Sequence, residues 1–271
     1  MFYWVVKAFL GPVLAVLWQP RAEGVENVPR RGPAIMVSNH LSFSDHFFGP
    51  LPLPRKITFL AKAEYFTGKG VKGLVSRAFF TGVGQIPIDR SGGKASEAAL
   101  RTGLKVLKRG DLLGIYPEGT RSPDGKLYRG RTGVARLALE SKAPVVPMAM
   151  INVDRIMPPG RTLPKLGIRP KVKFGEPLDF SRYYGMEKDP RVLRAVTDEI
   201  MYALMELSGQ EYVDRYAQSV KADLEAEAKE ARREQNADDK DRRRAERARR
   251  KEERRARREE KKRSKSGEPE K

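Results

Sequence analysis

"AIMVSNHLSFSDHFF", Ala34 to Phe48, holds the reading on which the fold turns. Ala34–Ser38 is a short apolar run cut off by a polar cluster, the pattern of a buried strand. Ser42-Phe43-Ser44-Asp45 then matches a capping box, with Ser42 as N-cap and Asp45 at N3 of a following helix. A strand that hands over to a helix is the repeating unit of a layered α/β fold. The same apolar runs recur outward along the chain at 57–61, 84–89, 111–116, 145–150 and 171–175. Helical stretches alternate with them at 69–80, 94–108, 132–140 and from 190 to about 217. The expected fold is α/β, with a mixed, largely parallel sheet flanked by helices.

The chain divides into three segments by composition. Residues 1–20 begin with an apolar stretch whose only charge is Lys7 and which Gly11-Pro12 interrupts, so two short helical pieces bent at that point are expected. Phe2, Tyr3, Trp4, Phe9 and Trp18 are types favoured at a membrane interface, which suggests a one-sided anchor over a full crossing; an ordinary helix packed on the domain is the plainer alternative. Residues 21–219 form the α/β domain. Residues 220–271 are a charged tail, either a solvated helix or disordered, with no apolar seam for a coiled coil. From Lys221 onward there are 21 Lys+Arg against 15 Asp+Glu, one leucine and no aromatic residue, so +13 of the net +19 sits on the first 220 residues. That charge calls for an anionic partner. The lack of aromatics in the tail argues against nucleic acid, which leaves anionic lipid headgroups or plain solvation. With no cysteine, a thiol nucleophile, a disulfide scaffold and a Cys-type zinc site are excluded.

Both histidines of the chain, His40 and His46, flank Asp45. On one continuous helix His40 and Asp45 would lie about 140° apart and would not meet. They meet if His40 sits in the loop leaving the strand and Asp45 in the first helical turn. Two readings stay open on the residues alone. Asp45 caps and His40 ends a strand, or the carboxylate orients an imidazole that serves as a general base. No Gly-x-Ser-x-Gly elbow accompanies them, so such a base would act on a hydroxyl brought by the substrate. His46 points away from Asp45 and is expected to pack. Two histidines and scattered acids make no convincing metal set.

Three further stretches end near strand termini, where α/β proteins bind ligands. "GQIPIDRSGG" presents Arg90. "YPEGTRS" places Glu118, Gly119, Thr120 and Arg121 in a tight turn. "KLYRGRTGVARLALE" sets Arg129 and Arg131 at the start of a helix, suited to an anion. Surface ion pairs are the plainer account of each arginine. Together with a His–Asp pair they point to an acceptor that carries phosphate.

Asn39-His40 with Asp45, the run from Gly84 to Arg90, the run from Tyr116 to Ser122, and Val146-Pro147-Met148 stand in the order of the four motifs of the glycerolipid acyltransferases. The chain resembles that family over roughly 21–184, and most of all its bacterial 1-acyl-glycerol-3-phosphate (lysophosphatidate) acyltransferases. The resemblance implies that His40, oriented by Asp45, deprotonates the free glycerol hydroxyl. That hydroxyl attacks acyl-CoA or acyl-carrier protein, giving phosphatidate. It further implies that Arg90, Glu118, Gly119 and Arg121 bind the acceptor, that no metal or prosthetic group is needed, and that the protein works on the cytoplasmic face of the membrane as a peripheral or monotopic enzyme. Thr120 is placed with them by its turn. Other acceptors, such as glycerol-3-phosphate or a lysophospholipid, and a non-catalytic lipid-surface protein are the alternatives. Tyr116 stands where phenylalanine is commoner and Met148 where a branched residue is usual; neither is expected to touch the chemistry.

Overall fold

In the computed structural model, residues 2–88, 95–158, 161 and 163–266 are described. The elements run α1 (Phe2–Trp18), β1 (Arg21–Glu23), β2 (Ala34–Ser38), α2 (Asp45–Phe48), β3 (Ile57–Lys62), α3 (Glu64–Thr67), α4 (Gly70–Gly82), β4 (Gln85–Ile88), α5 (Ala95–Lys108), β5 (Leu112–Ile115), β6 (Leu127–Tyr128), α6 (Gly133–Ser141), β7 (Val145–Ile151), α7 (Val153–Ile156), β8 (Lys171–Phe174), α8 (Pro190–Ser208), β9 (Tyr212–Val213) and α9 (Ala217–Ser266). By packing the chain falls into two units, Met1–Ser219 and Val220–Lys271. The second is helical across its described residues, and from Lys221 onward it is exposed wherever its side chains are described.

Seven strands form one sheet in the order β1-β8-β7-β2-β5-β3-β4. Every neighbouring pair is parallel except β7 with β8. The sheet is therefore mixed and largely parallel, as the sequence implies. β2 lies at its centre, which explains why "AIMVS" reads as an unbroken apolar run: both of its faces are covered. Ile35 and Val37 pack among Leu100, Leu137, Val196 and Ile200 from α5, α6 and α8. Ala34 and Met36 point the other way, among Trp18, Phe48, Phe59 and Met148. The alternation is the two-residue period of a strand, realised between two cores.

Three expectations change. α1 is one helix through Pro12 instead of two bent pieces. A proline costs a single backbone hydrogen bond there, and domain contacts hold the helix on both sides of it. Lys7 Nζ donates to the carbonyls of Pro50 and Leu53, and Trp18 Nε1 donates to Lys165 O at 2.8 Å. α8 stops at Ser208, short of 217. Gly209 takes a left-handed conformation and its N–H returns to Met205 O, after which Tyr212 and Val213 pair with Leu127 and Tyr128. The capping box forms only in half, as described below.

Candidate active site

β2 and β5 run parallel with Val37 opposite Ile115, so the loops leaving their C-terminal ends lie side by side. One carries His40 and the other carries Tyr116–Ser122. Asn39 fixes the first loop. It is fully buried, accepts from Met150 N–H at 2.7 Å, and donates through Nδ2 to Met150 O at 3.0 Å and Gln210 Oε1 at 2.6 Å. The turn fixes the backbone of His40 from both sides. Glu118 Oε2 accepts the His40 N–H at 3.1 Å, and the Ser122 N–H donates to His40 O at 2.8 Å.

α2 begins at Asp45 itself, with no side-chain cap from Ser44. The N-cap is Ser44 and not Ser42; the Ser42 hydroxyl donates to Met157 O at 3.0 Å and accepts the Ser44 N–H at 3.3 Å, in place of the Asp45 N–H that the box calls for. The acidic half of the expected box is present, because Asp45 Oδ2 accepts the Ser42 N–H at 2.9 Å. The same oxygen accepts the Leu41 N–H at 2.8 Å and lies 2.8 Å from His40 Nδ1. Its partner Oδ1 is buried without a hydrogen bond among the described residues. Capping and imidazole binding are thus two roles of one carboxylate oxygen, not alternatives. Oδ2 accepts from two backbone N–H groups, so the His40 nitrogen that faces the same oxygen is assigned as a third donor, Nδ1–H. Nε2 is left as the basic nitrogen. The His40 side chain keeps 14% exposure while Asp45 is sealed.

Tyr116 does touch this pair, against the sequence expectation. Its ring stacks on the His40 imidazole with centroids 3.9 Å apart, and its hydroxyl lies 3.3 Å from His46 Nδ1. His46 packs as expected, and burial takes its pKa down to about 3, with the like charges of His40 and Arg121 adding to the shift. It is neutral across the physiological range.

Glu118 is 1% exposed. Its oxygens are taken by the backbone N–H groups of His40 and, at 2.9 Å, Tyr128. It therefore holds the turn against the His40 loop. Burial pushes its pKa up to about 8, against the pull of those two donors. Gly119 has φ +74°, and a side chain there would meet Arg131 Nε at 3.0 Å, so glycine lets the guanidinium lie against the turn. The Arg131 N–H also donates to Pro117 O. Arg121 is exposed and Thr120 half-buried in the same turn. Arg129 and Arg131 flank the Tyr216 ring at 5.6 and 5.4 Å; Arg129 lies 3.5 Å from Asp214 and Arg131 donates to Gln218. The structure thus gathers His40, Asp45, Glu118, Gly119, Thr120, Arg121 and Arg131 around two adjoining loops, with Arg129 beside Tyr216. Arg90 lies outside the described residues. No cluster of three or more metal-binding side chains occurs among the described residues.

A family model described as Acyltransferase matches residues 19–151, which include every one of these site residues. The 1-acyl-sn-glycerol-3-phosphate acyltransferase of Bacillus subtilis is 30% identical over 187 residues, 68% of this chain and 86% of that protein. The chain belongs to the acyltransferase family. A chloroplastic 1-acyl-sn-glycerol-3-phosphate acyltransferase of Arabidopsis thaliana is also 30% identical, over 58% of this chain and 43% of its own length. The chain thus spans less than half of that plant relative. The crystal structure of the 1-acyl-sn-glycerophosphate acyltransferase PlsC from Thermotoga maritima superposes with a TM-score of 0.56 at 26% identity, covering 76% of this chain and 79% of that one. Within the acyltransferase family match, Asn39 and Tyr116 are site residues whose roles sequence reasoning missed. An amide residue placed directly between the apolar run and the histidine was the available signal for Asn39.

The protonated Glu118 gives a pH-dependent stability. In the unfolded chain it ionises near the usual 4.5, so between that value and 8 the folded state holds a proton that the unfolded state lacks. Its contribution is complete below 4.5 and lost as pH rises to 8. Between pH 7.5 and 9, where His46 is neutral in both the folded and the unfolded chain, we expect a loss of about 1 kcal/mol as the Glu118 carboxyl titrates. Urea midpoints across that interval should fall for the wild type and stay level for Glu118→Gln. A level wild-type curve would show that the carboxyl is ionised throughout.

Proposed function

We propose that this protein transfers a fatty acyl group from an acyl thioester to the free hydroxyl of 1-acyl-glycerol-3-phosphate, giving phosphatidate for phospholipid synthesis. The observation that carries this is the 2.8 Å contact of His40 Nδ1 with a sealed carboxylate, which leaves Nε2 basic beside an open loop. The relatives' names agree with the same chemistry. Nε2 takes the proton of the acceptor hydroxyl as its oxygen bonds to the thioester carbonyl. The tetrahedral intermediate collapses, the C–S bond breaks, and the imidazolium returns the proton to the leaving thiolate. Asp45, in contact with Nδ1, orients the ring and favours the imidazolium. The donor is acyl-CoA or acyl-carrier protein, and no prosthetic group takes part. Arg121 and Arg131 offer guanidinium forks for the acceptor phosphate beside Gly119, with Arg90 and Arg129 as further cations.

The site belongs on a membrane surface in this reading, with the protein on the cytoplasmic leaflet. Among the described residues no helix is long and apolar enough to cross a bilayer. α1 nevertheless exposes Phe2, Trp4, Val5, Phe9 and Val16, and α4, which packs against it, exposes Val71, Leu74 and Val75. Such a face seats at the acyl–headgroup boundary, and the positive charge of the chain draws it to anionic lipid.

Purified protein given acyl-CoA and lysophosphatidate should release free thiol and phosphatidate in equal amounts. No acceptor-dependent thiol release from either CoA or carrier-protein donors would reject the reading, and a panel of acceptors fixes the lipid. Arg121→Ala should raise the KM for lysophosphatidate about tenfold or more while kcat changes little, since a charge-assisted phosphate contact is lost. An unchanged KM would remove Arg121 from the phosphate site.

A further inference from the structure

His40 is the first of three rings in a stack. Tyr116 lies on it at 3.9 Å with 15° between planes, and Phe59 lies against Tyr116 at 5.3 Å and 14°. The stack is built deliberately into the sheet. Gly114 of β5 has no side chain because a Cβ there would come 2.3 Å from the Phe59 ring, so glycine is what lets Phe59 back the tyrosine. His46 stands edge-on to all three rings, at 5.7 Å from His40, 5.4 Å from Tyr116 and 5.2 Å from Phe59, with interplanar angles of 66°, 81° and 81°. Its Nδ1 lies within reach of the Tyr116 hydroxyl, so the phenol is tethered and cannot swing out of the stack.

We infer that Tyr116, tethered by His46, is a positioning residue for the acyl transfer proposed above: it fixes the plane of the His40 imidazole so that Nε2 faces the acceptor, and it stabilises the imidazolium formed in the reaction. Asp45 holds one atom of the imidazole and sets its tautomer, but a single contact at Nδ1 leaves the ring free to rotate about it. A flat aromatic face at stacking distance removes that freedom. The negative face of an aromatic ring also attracts a cation that forms against it. The groups that face His40 are Asp45, the Tyr116 phenol and His46, with Glu118 on its backbone and Arg121 felt by His46. His46, kept neutral by burial, can accept from the phenol without adding positive charge beside the base. A phenylalanine would preserve the stack and lose the tether.

The two histidines give the test unusual clarity, since imidazole NMR signals from the whole chain come from these residues alone. Tyr116→Phe should lower kcat about three- to tenfold with the acceptor KM unchanged, because positioning acts on the step and not on phosphate binding. Tyr116→Leu should lower kcat further, shift the acid limb of the kcat/KM profile to lower pH as the imidazolium loses its stacked partner, and abolish the ring-current shift of the His40 ring protons. His46→Leu should match Tyr116→Phe, and the double variant should be no slower than either single one, because both break the same contact. Unchanged kcat and pH profile in Tyr116→Phe and Tyr116→Leu would overturn the inference, as would additive losses in the double variant. Should Tyr116→Leu fail to fold, the Tyr116→Phe and His46→Leu pair decides alone. The ring-current shift is read on ligand-free protein, so it judges the stack even if the acyl-transfer reading fails in the wild type.

Discussion

His40→Ala is expected to lower kcat by about 10²–10⁴-fold while leaving the acceptor KM within a few-fold of the wild type. The imidazole is asked to accept a proton only as the hydroxyl attacks, so its loss falls on the transition state and not on ground-state binding. The fold should survive. The two bonds that anchor residue 40 come from its backbone, to Glu118 and Ser122, and alanine retains both. Steady-state kinetics with lysophosphatidate, together with a melting curve to verify folding, reads this directly. A variant with a tenth or more of the wild-type kcat would place the base elsewhere. His46 could not then substitute for it, since burial keeps that ring from taking a proton near neutrality and its Nδ1 faces Tyr116.

Asp45→Asn should be nearly as damaging by a different route. The amide can present N–H to Nδ1 and hold the imidazole in the tautomer that puts a proton on Nε2, where the base must be free. A loss of kcat of about 10²–10⁴-fold follows. The same change also weakens the acceptor for the Leu41 and Ser42 N–H groups in a fully buried setting, so stability should fall by about 1–3 kcal/mol. His40→Ala leaves those two bonds intact. Comparing urea midpoints of the two variants therefore separates the two functions of the carboxylate: Asp45→Asn should be clearly the less stable. Equal stabilities would mean that the acid serves the imidazole alone.

Much of this arrangement was legible because strand ends announce themselves. The six apolar runs all became strands of one sheet, and the polar cluster after Ser38 marked where the chain turns to chemistry. The His40–Asp45 contact followed from a break in geometry between residues five apart. Less legible was anything decided by a partner distant in sequence. The short pairing of Tyr212 with Leu127 ends α8 early, and no local propensity forecasts it. Lys7 and Trp18 hold α1 to carbonyls in other parts of the domain, so Pro12 did not divide the helix. Glu118 looked like a ligand group because it sits between a proline and a glycine in a turn. Only its contacts with His40 and Tyr128 reveal a clamp. Tyr116 was passed over because a hydroxyl added to an aromatic position carries no pattern of its own. Its meaning comes from His46, seventy residues away.

Intact-mass measurement of the protein during turnover tests the claim of direct attack most sharply. With acyl-CoA alone the protein should remain unmodified and release no thiol above background. Adding lysophosphatidate should start release of thiol and phosphatidate together, still with no acylated protein at any time. An acyl adduct that forms without acceptor and disappears when lysophosphatidate is added would contradict the account, because His40 would then be activating a nucleophile of the protein and not the alcohol of the lipid.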